Sequence, residues 1–255
     1  MKRLAVEHLE VRHGQLQAVR DVSFHVDPGE TLALIGANGA GKTTLLRALA
    51  GAHLPYAGKV LLGDRDITQV PSYQRVAEGI ALVPEGRRLF TDMSVEENLL
   101  LGRHARRAGD WSIERVLDTF PNLKPRLKAR AGTLSGGEQQ ATAIGRALMT
   151  NPLVLLLDEV SLGLAPIAVD QVYHSLAGLI GSGTTILLVE QDLARAFGVA
   201  TRIACMLEGR IVLEGLAQDM TREQVTAAYF GLGRGNGSGG GQGSGQDGGK
   251  GHHQP

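Results

Sequence analysis

Apolar positions along this chain fall into two rhythms. Unbroken apolar runs occur at Thr31-Leu32-Ala33-Leu34-Ile35, Ile80-Ala81-Leu82-Val83, Pro152-Leu153-Val154-Leu155-Leu156-Leu157 and Thr184-Thr185-Ile186-Leu187-Leu188-Val189. Each has the length of a strand, and the third, closed by Asp158-Glu159, reads as a strand buried on both faces of a parallel sheet. Residues 2–8 and 17–26 also read as strands, with Val11-Arg12-His13-Gly14 a short loop between them and Asp27-Pro28-Gly29-Glu30 a turn into the run at 31. Ala57–Gly63 reads as a strand running into a turn, and residues 202–214 as a hairpin turning at Glu208-Gly209-Arg210. The second rhythm is helical. Leu45-Leu46-Arg47-Ala48-Leu49-Ala50 predicts a helix that stops at Gly51, where a left-handed residue is wanted. Ser94 and Glu97 have the spacing of a capping box, and from there to about residue 150 the pattern is helical with no convincing strand.

Composition narrows the picture. At 255 residues the chain is long enough for one large domain with a sub-lobe. Lys+Arg 26 balances Asp+Glu 26, so no overall charge draws it to nucleic acid or anionic lipid. Cys205 is the only cysteine and lies in an apolar run, which excludes a disulfide framework and favours an inert buried thiol. No apolar stretch approaches the ~20 residues of a membrane helix, and the N-terminus lacks a signal-peptide core. Residues 233–255 are roughly half glycine and read as a flexible tail; the adjacent His252 and His253 lack the further ligands a metal site needs.

The chemistry concentrates at Gly36-Ala37-Asn38-Gly39-Ala40-Gly41-Lys42-Thr43-Thr44, which fits G-x-x-x-x-G-K-[ST] between a predicted strand and a predicted helix. Its glycines let successive backbone N–H groups point at a phosphate, and the helix adds the positive end of its dipole. Lys42 is placed to span the β- and γ-phosphates, and Thr43 to hold Mg²⁺. In a parallel sheet ligands gather at the carboxyl ends of strands, which puts Asp158 and Glu159 beside this loop.

A second glycine-rich motif, Leu134-Ser135-Gly136-Gly137-Glu138-Gln139-Gln140, opens a helix, and its Ser135 and Glu138 also have capping-box spacing. With this motif lying between the phosphate loop and the carboxylate strand, the chain resembles the ATP-binding-cassette family over residues 1–232. The resemblance implies an α/β P-loop NTPase with a mostly parallel core sheet, N-terminal antiparallel strands and an inserted helical lobe at about 94–150. It implies ATP and Mg²⁺ as ligands, and a head-to-tail dimer in which Ser135, Gly136 and Gly137 close over the nucleotide of a second cassette. Asp158 would support Mg²⁺ and Glu159 would act as general base. Ser161-Leu162-Gly163-Leu164-Ala165-Pro166 matches the loop that communicates across such a dimer.

Three positions are particular. His13 stands where most cassettes stack an aromatic residue on adenine, Glu85 where most have glutamine, and Gln191 where most have the switch histidine. Val-Pro-Glu-Gly-Arg at 83–87, LSGGEQQ, SLGLAP and Val-Glu-Gln at 189–191 together resemble the LivF-type ATPases of branched-chain amino-acid importers. That resemblance implies a different partner cassette, two transmembrane permease subunits, an indirectly linked substrate-binding protein, and a peripheral place on the cytoplasmic face of the inner membrane. No nucleic-acid partner is expected. The same machinery could carry urea or short amides; a non-transport cassette fits less well, because the chain has one cassette and no heptad run. Arg87-Arg88-Leu89-Phe90 is where a permease helix is expected to dock. Val160 departs from the usual proline, and Ala141-Thr142 from larger apolar residues, so packing is where these departures should be felt.

Overall fold

The computed structural model describes residues 2–232; the glycine-rich stretch 233–255, with His252 and His253, lies outside the described residues. Strands β1 (Leu4–His13) and β2 (Leu16–Val26) form a hairpin, and β3 (Thr31–Ile35) feeds α1 (Lys42–Leu49). Then come β4 (Ala57–Leu62), β5 (Arg65–Asp66), α2 (Ser72–Glu78) and β6 (Ile80–Val83). Helices α3 (Val95–Leu101), α4 (Ile113–Thr119) and α5 (Gly136–Leu148) follow, joined by 3-10 turns. The chain closes with β7 (Val154–Asp158), α6 (Pro166–Gly181), β8 (Thr185–Glu190), α7 (Leu193–Val199), β9 (Arg202–Leu207), β10 (Arg210–Leu216) and α8 (Arg222–Phe230).

Two sheets result. The smaller has the order β2-β1-β4-β5 and is antiparallel throughout; the larger has the order β10-β9-β3-β8-β7-β6, parallel except for the β9–β10 hairpin. The α/β class, the mostly parallel core sheet and the N-terminal antiparallel strands match the reading from sequence. Alternation along β7 explains its unbroken apolar run. Val154 and Leu156 face one core, shared with Leu45, Leu46 and Leu49 of α1 and with Val6, Leu9 and Val22 of the small sheet. Leu155 and Leu157 face the opposite core, shared with Val95, Leu99, Val116 and Ile144 of the helical insertion and with Val172 and Leu176 of α6. Truncating one of these leucines to alanine would cost about 2–5 kcal/mol.

The first strand corrects the sequence reading. It does not end at His8 but runs on to His13, so residues 11–13 are strand and the turn falls at Gly14-Gln15. His8 adopts a left-handed φ of 48° and the register with β2 shifts between Val6 and Leu9 and again before Val11. These bulges break the alternation of two that marks a strand, although Leu9 and Val11 stay buried.

The departures at 141, 142 and 160 are all absorbed by the core. Val160 is buried with the α5–α6 cluster, as is Ala141, and Thr142 satisfies its hydroxyl by donating to the Glu138 carbonyl (2.8 Å). Arg75 of α2 is fully buried. It donates to the carbonyls of Val70 (2.8 Å), Ala48 (2.7 Å), Leu49 (2.7 Å) and Thr68 (2.6 Å). Burial lowers its pKa to about 10, so the guanidinium remains charged, and two of its acceptors belong to the last turn of α1.

Candidate functional site

The loop between β3 and α1 is shaped by close backbone approach. A Cβ at Gly36 would run into the Met206 carbonyl, and one at Gly41, itself left-handed at φ 103°, into the Ala18 carbonyl. Only glycine fits either place. Lys42 is 4% exposed. Its ammonium donates to the carbonyls of Gly36 (2.7 Å) and Ala37 (3.0 Å) and lies 3.6 Å from the Glu159 carboxylate. Burial pulls the Lys42 pKa down, and Glu159 opposes that pull.

The ends of β7 and β8 meet this loop. Thr43 Oγ1 donates to Asp158 Oδ1 (3.0 Å). Burial pushes the Asp158 carboxyl above its usual range; Thr43 pulls it back, and the nearby charges of Glu159 and Glu85 push it up further. Glu159 takes a left-handed φ of 47°, a conformation that costs on the order of 1 kcal/mol for a residue with a side chain. Lys42, Thr43, Thr44, Glu85, Glu159 and Gln191 share the walls of one cleft of about 500 Å³, and His13, Asn38 and Gly39 line it too. His13 reaches the Thr44 hydroxyl (3.2 Å) and meets His53 edge-on at 4.7 Å between ring centroids.

The residues present fit Mg²⁺ and a polyphosphate. Asp158 accepts from the Thr43 hydroxyl and Glu159 lies beside the Lys42 ammonium, with Glu85 on the same cleft wall, a surplus of carboxyl groups that a bound cation would relieve. Among the described residues no cluster of three or more His, Cys, Asp or Glu could hold a metal by itself. That suits Mg²⁺, which is commonly held by one or two protein groups together with substrate phosphates.

Ser135, Gly136 and Gly137 are not among the residues that line this cleft. They open α5, where Ser135 is exposed and its capping box with Glu138 is fully formed. A Cβ on Gly137 would press on Ala168 at 2.9 Å and one on Gly136 on Leu164 at 3.0 Å, so both glycines permit close packing against the start of α6 and the loop before it. Phe90 stands exposed while Leu89 packs on the helical core, so the apolar pair at 89–90 is split between solvent and the chain's own interior.

Sequence reasoning passed over Glu190, which is buried at the end of β8. It accepts from Ser161, Tyr173 and two backbone N–H groups. The available signal was the same one that marked Asp158: a carboxylate closing an apolar strand.

A family model described as "ABC transporter" matches residues 19–161. The chain is 44% identical over 231 residues to the high-affinity branched-chain amino acid transport ATP-binding protein BraG of Pseudomonas aeruginosa, covering 89% of this chain and 99% of that one. It is 32% identical over 248 residues to the high-affinity branched-chain amino acid transport ATP-binding protein LivG of Escherichia coli K12, covering 89% and 97%. Among solved structures, an ATP-binding cassette of an ABC transporter in its ADP conformation is similar with a TM-score of 0.78 and 27% identity, over 91% of this chain and 99% of that chain.

Proposed function

This chain belongs to the ABC transporter family of ATPases, and from that premise we propose that it powers uptake of branched-chain amino acids through a membrane importer. The observation that carries the reading is the 44% identity to BraG over 99% of that protein's length. It is joined by a cleft in which the phosphate loop, Glu85, Glu159 and Gln191 converge.

In this reading the unit spans residues 1–232, with a helical subdomain at about 94–150 and a tail at 233–255. ATP is the substrate. The loop from Gly36 to Thr44 wraps its phosphates with backbone N–H groups, Lys42 exchanges its carbonyl partners for phosphate oxygens, and His13 meets the adenine. Thr43 and Asp158 would hold Mg²⁺, which would supply positive charge to the transferring phosphoryl group. Glu159 orients the attacking water and accepts its proton as the new P–O bond forms and the bond from the γ-phosphorus to the leaving ADP oxygen breaks. Gln191 donates a hydrogen bond to the γ-phosphate but, unlike histidine, cannot take up and pass on a proton. Glu85 completes the wall beside them.

Ser135, Gly136 and Gly137 lie outside the cleft of their own chain because they serve a second cassette, a different chain docked head to tail. Two permease subunits receive the resulting motion at Phe90 and the start of α3, and a substrate-binding protein delivers cargo to them. No nucleic acid takes part. No helix among the described residues is long and apolar enough to cross a membrane, and the chain sits peripherally on the cytoplasmic face of the inner membrane.

The test is Glu159→Gln. The variant should keep ATP affinity, lose turnover by about 10²–10⁴-fold and, mixed with its partner cassette, accumulate an ATP-bound dimer by size-exclusion light scattering. Cells carrying only that variant should lose uptake of radiolabelled leucine, isoleucine and valine. Retained leucine uptake alongside lost uptake of urea or a short amide would reassign the cargo, and a variant that stays strictly monomeric in ATP with its partner cassette present would contradict the paired cassette.

A further inference from the structure

The carboxylate of Glu190 has no part in the roles above. It is 3% exposed and is not among the residues that line the nucleotide cleft, yet it takes hydrogen bonds from three separate elements. Ser161 Oγ donates from the turn after β7 (3.1 Å), the Tyr173 hydroxyl donates from α6, and the backbone N–H groups of Gln191 (3.1 Å) and Asp192 (3.2 Å) donate from the turn after β8. A buried carboxylate is an acceptor only and is tolerated when its lone pairs are filled; here four donors fill them. Burial and the Glu190 charge hold the Tyr173 hydroxyl far above the usual tyrosine range, so it stays protonated and donating.

We infer that Glu190, with Tyr173 and Ser161, is a positioning cluster that fixes Glu159 and Gln191 relative to one another and so governs the rate of hydrolysis without touching nucleotide. Glu159 sits in a strained left-handed conformation, which persists only where its surroundings over-determine it. Two tethers supply that constraint. On one side the Glu159 N–H donates to the Val189 carbonyl (3.1 Å); on the other, Ser161, two residues further on, is fastened to Glu190. The turn from 159 to 161 is therefore pinned at both ends to residues 189–190. Gln191 is pinned in its turn: Glu190 takes its N–H, and Asp192 caps α7 by accepting from Ala194 (2.9 Å) and Arg195 (3.2 Å). Tyr173 extends the cluster to α6, the helix that follows directly from the 161–166 loop.

The inference rests on reading Glu159 and Gln191 as the hydrolytic pair, so its test has two independent readouts on the full chain. The first is amide hydrogen exchange at Gln191 and Asp192. Tyr173→Phe and Ser161→Ala should each speed it by roughly tenfold, the loss of one hydrogen bond to a charged group, while amides within β8 keep their protection. The second is ATP turnover of the chain paired with its partner cassette: kcat should fall roughly ten- to a hundredfold, as for a misplaced catalytic group, with KM for ATP within about twofold, and Ser161→Thr, which keeps the hydroxyl, should restore it. Unchanged exchange at 191 and 192 would overturn the cluster, as would kcat and KM moving together with a fall in Tm. Turnover left unchanged by Glu159→Gln would instead sink the hydrolytic assignment, leaving the exchange result to judge the cluster.

Discussion

Helices α1 and α5 both begin in glycine-rich segments, yet their first amide groups are satisfied in different ways. Helix α1 starts after left-handed Gly41 with no side-chain cap and no acidic residue in its first turn. Helix α5 carries its own anion. Ser135 Oγ accepts from the Glu138 N–H (3.4 Å), the Glu138 carboxylate accepts from the Ser135 N–H (2.8 Å), and Arg126 donates to that carboxylate (3.1 Å). Burial works to raise the Glu138 carboxyl, but Ser135 and Arg126 outweigh it and hold it below the usual range. Glycine content alone therefore does not make an anion receptor. What distinguishes α1 is that its own side chains leave the amides to a ligand, whereas α5 satisfies the Ser135 and Glu138 amides within the chain and offers a ligand only what its cap does not use.

Two substitutions press on this contrast. Lys42→Ala removes the one buried cation at the open terminus and should weaken ATP binding on the order of a hundredfold, the loss of a charge-assisted hydrogen bond; a fluorescent-nucleotide titration that finds affinity preserved would mean the α1 terminus is not the receptor. Glu138→Ala strips α5 of its internal anion and should cost about 1 kcal/mol, read as a lower Tm, with ATP affinity of the isolated chain unaltered. A matching drop in affinity would show that the two termini are not separable.

The smallest effect is a change in pH slope. Because the folded Asp158 carboxyl titrates above its ordinary value of 3.8, the folded chain holds a proton there that the unfolded chain has released. Its contribution to stability is thus lost as pH rises from about that value through the raised one, and the full penalty stands at neutral pH. Asp158→Asn keeps an acceptor for Thr43 and lacks the charge, so the nucleotide-free variant should melt higher than wild type at pH 7 and lose this part of the slope. A lower Tm for the variant at pH 7, measured without nucleotide, would show that the buried carboxylate is not a burden on the fold.

Much of this was legible in residue order, for reasons that differ by element. The strands at 31, 80, 154 and 185 announced themselves because both faces are covered and no polar residue interrupts them. The caps at Ser94 and Ser135 were legible because a capping box is local. Helix α6 was overlooked although Val169, Val172, Leu176 and Leu179 are its buried positions, a three-four-three spacing that marks a helix face; its exposed side mixes Ile167 and Ala177 with Asp170, Gln171 and His174, which blurs the stripe. The short α7 was overlooked because only its cap, Asp192, marks where it begins, directly after the strand at 185. Arg75 and the partners of Glu190 had no local signature at all. Their donors and acceptors lie on separate elements that only the folded sheet brings together.

Arg75 has one more consequence. Helix α1 is eight residues long, about 12 Å, so the partial negative charge at its far end would offset part of the pull its near end exerts on an incoming phosphate. The guanidinium seated on the Ala48 and Leu49 carbonyls neutralises that far pole. An arginine that never meets the nucleotide thereby strengthens the attraction felt at Gly41, and the short helix acts on an anion almost as if only its positive end existed.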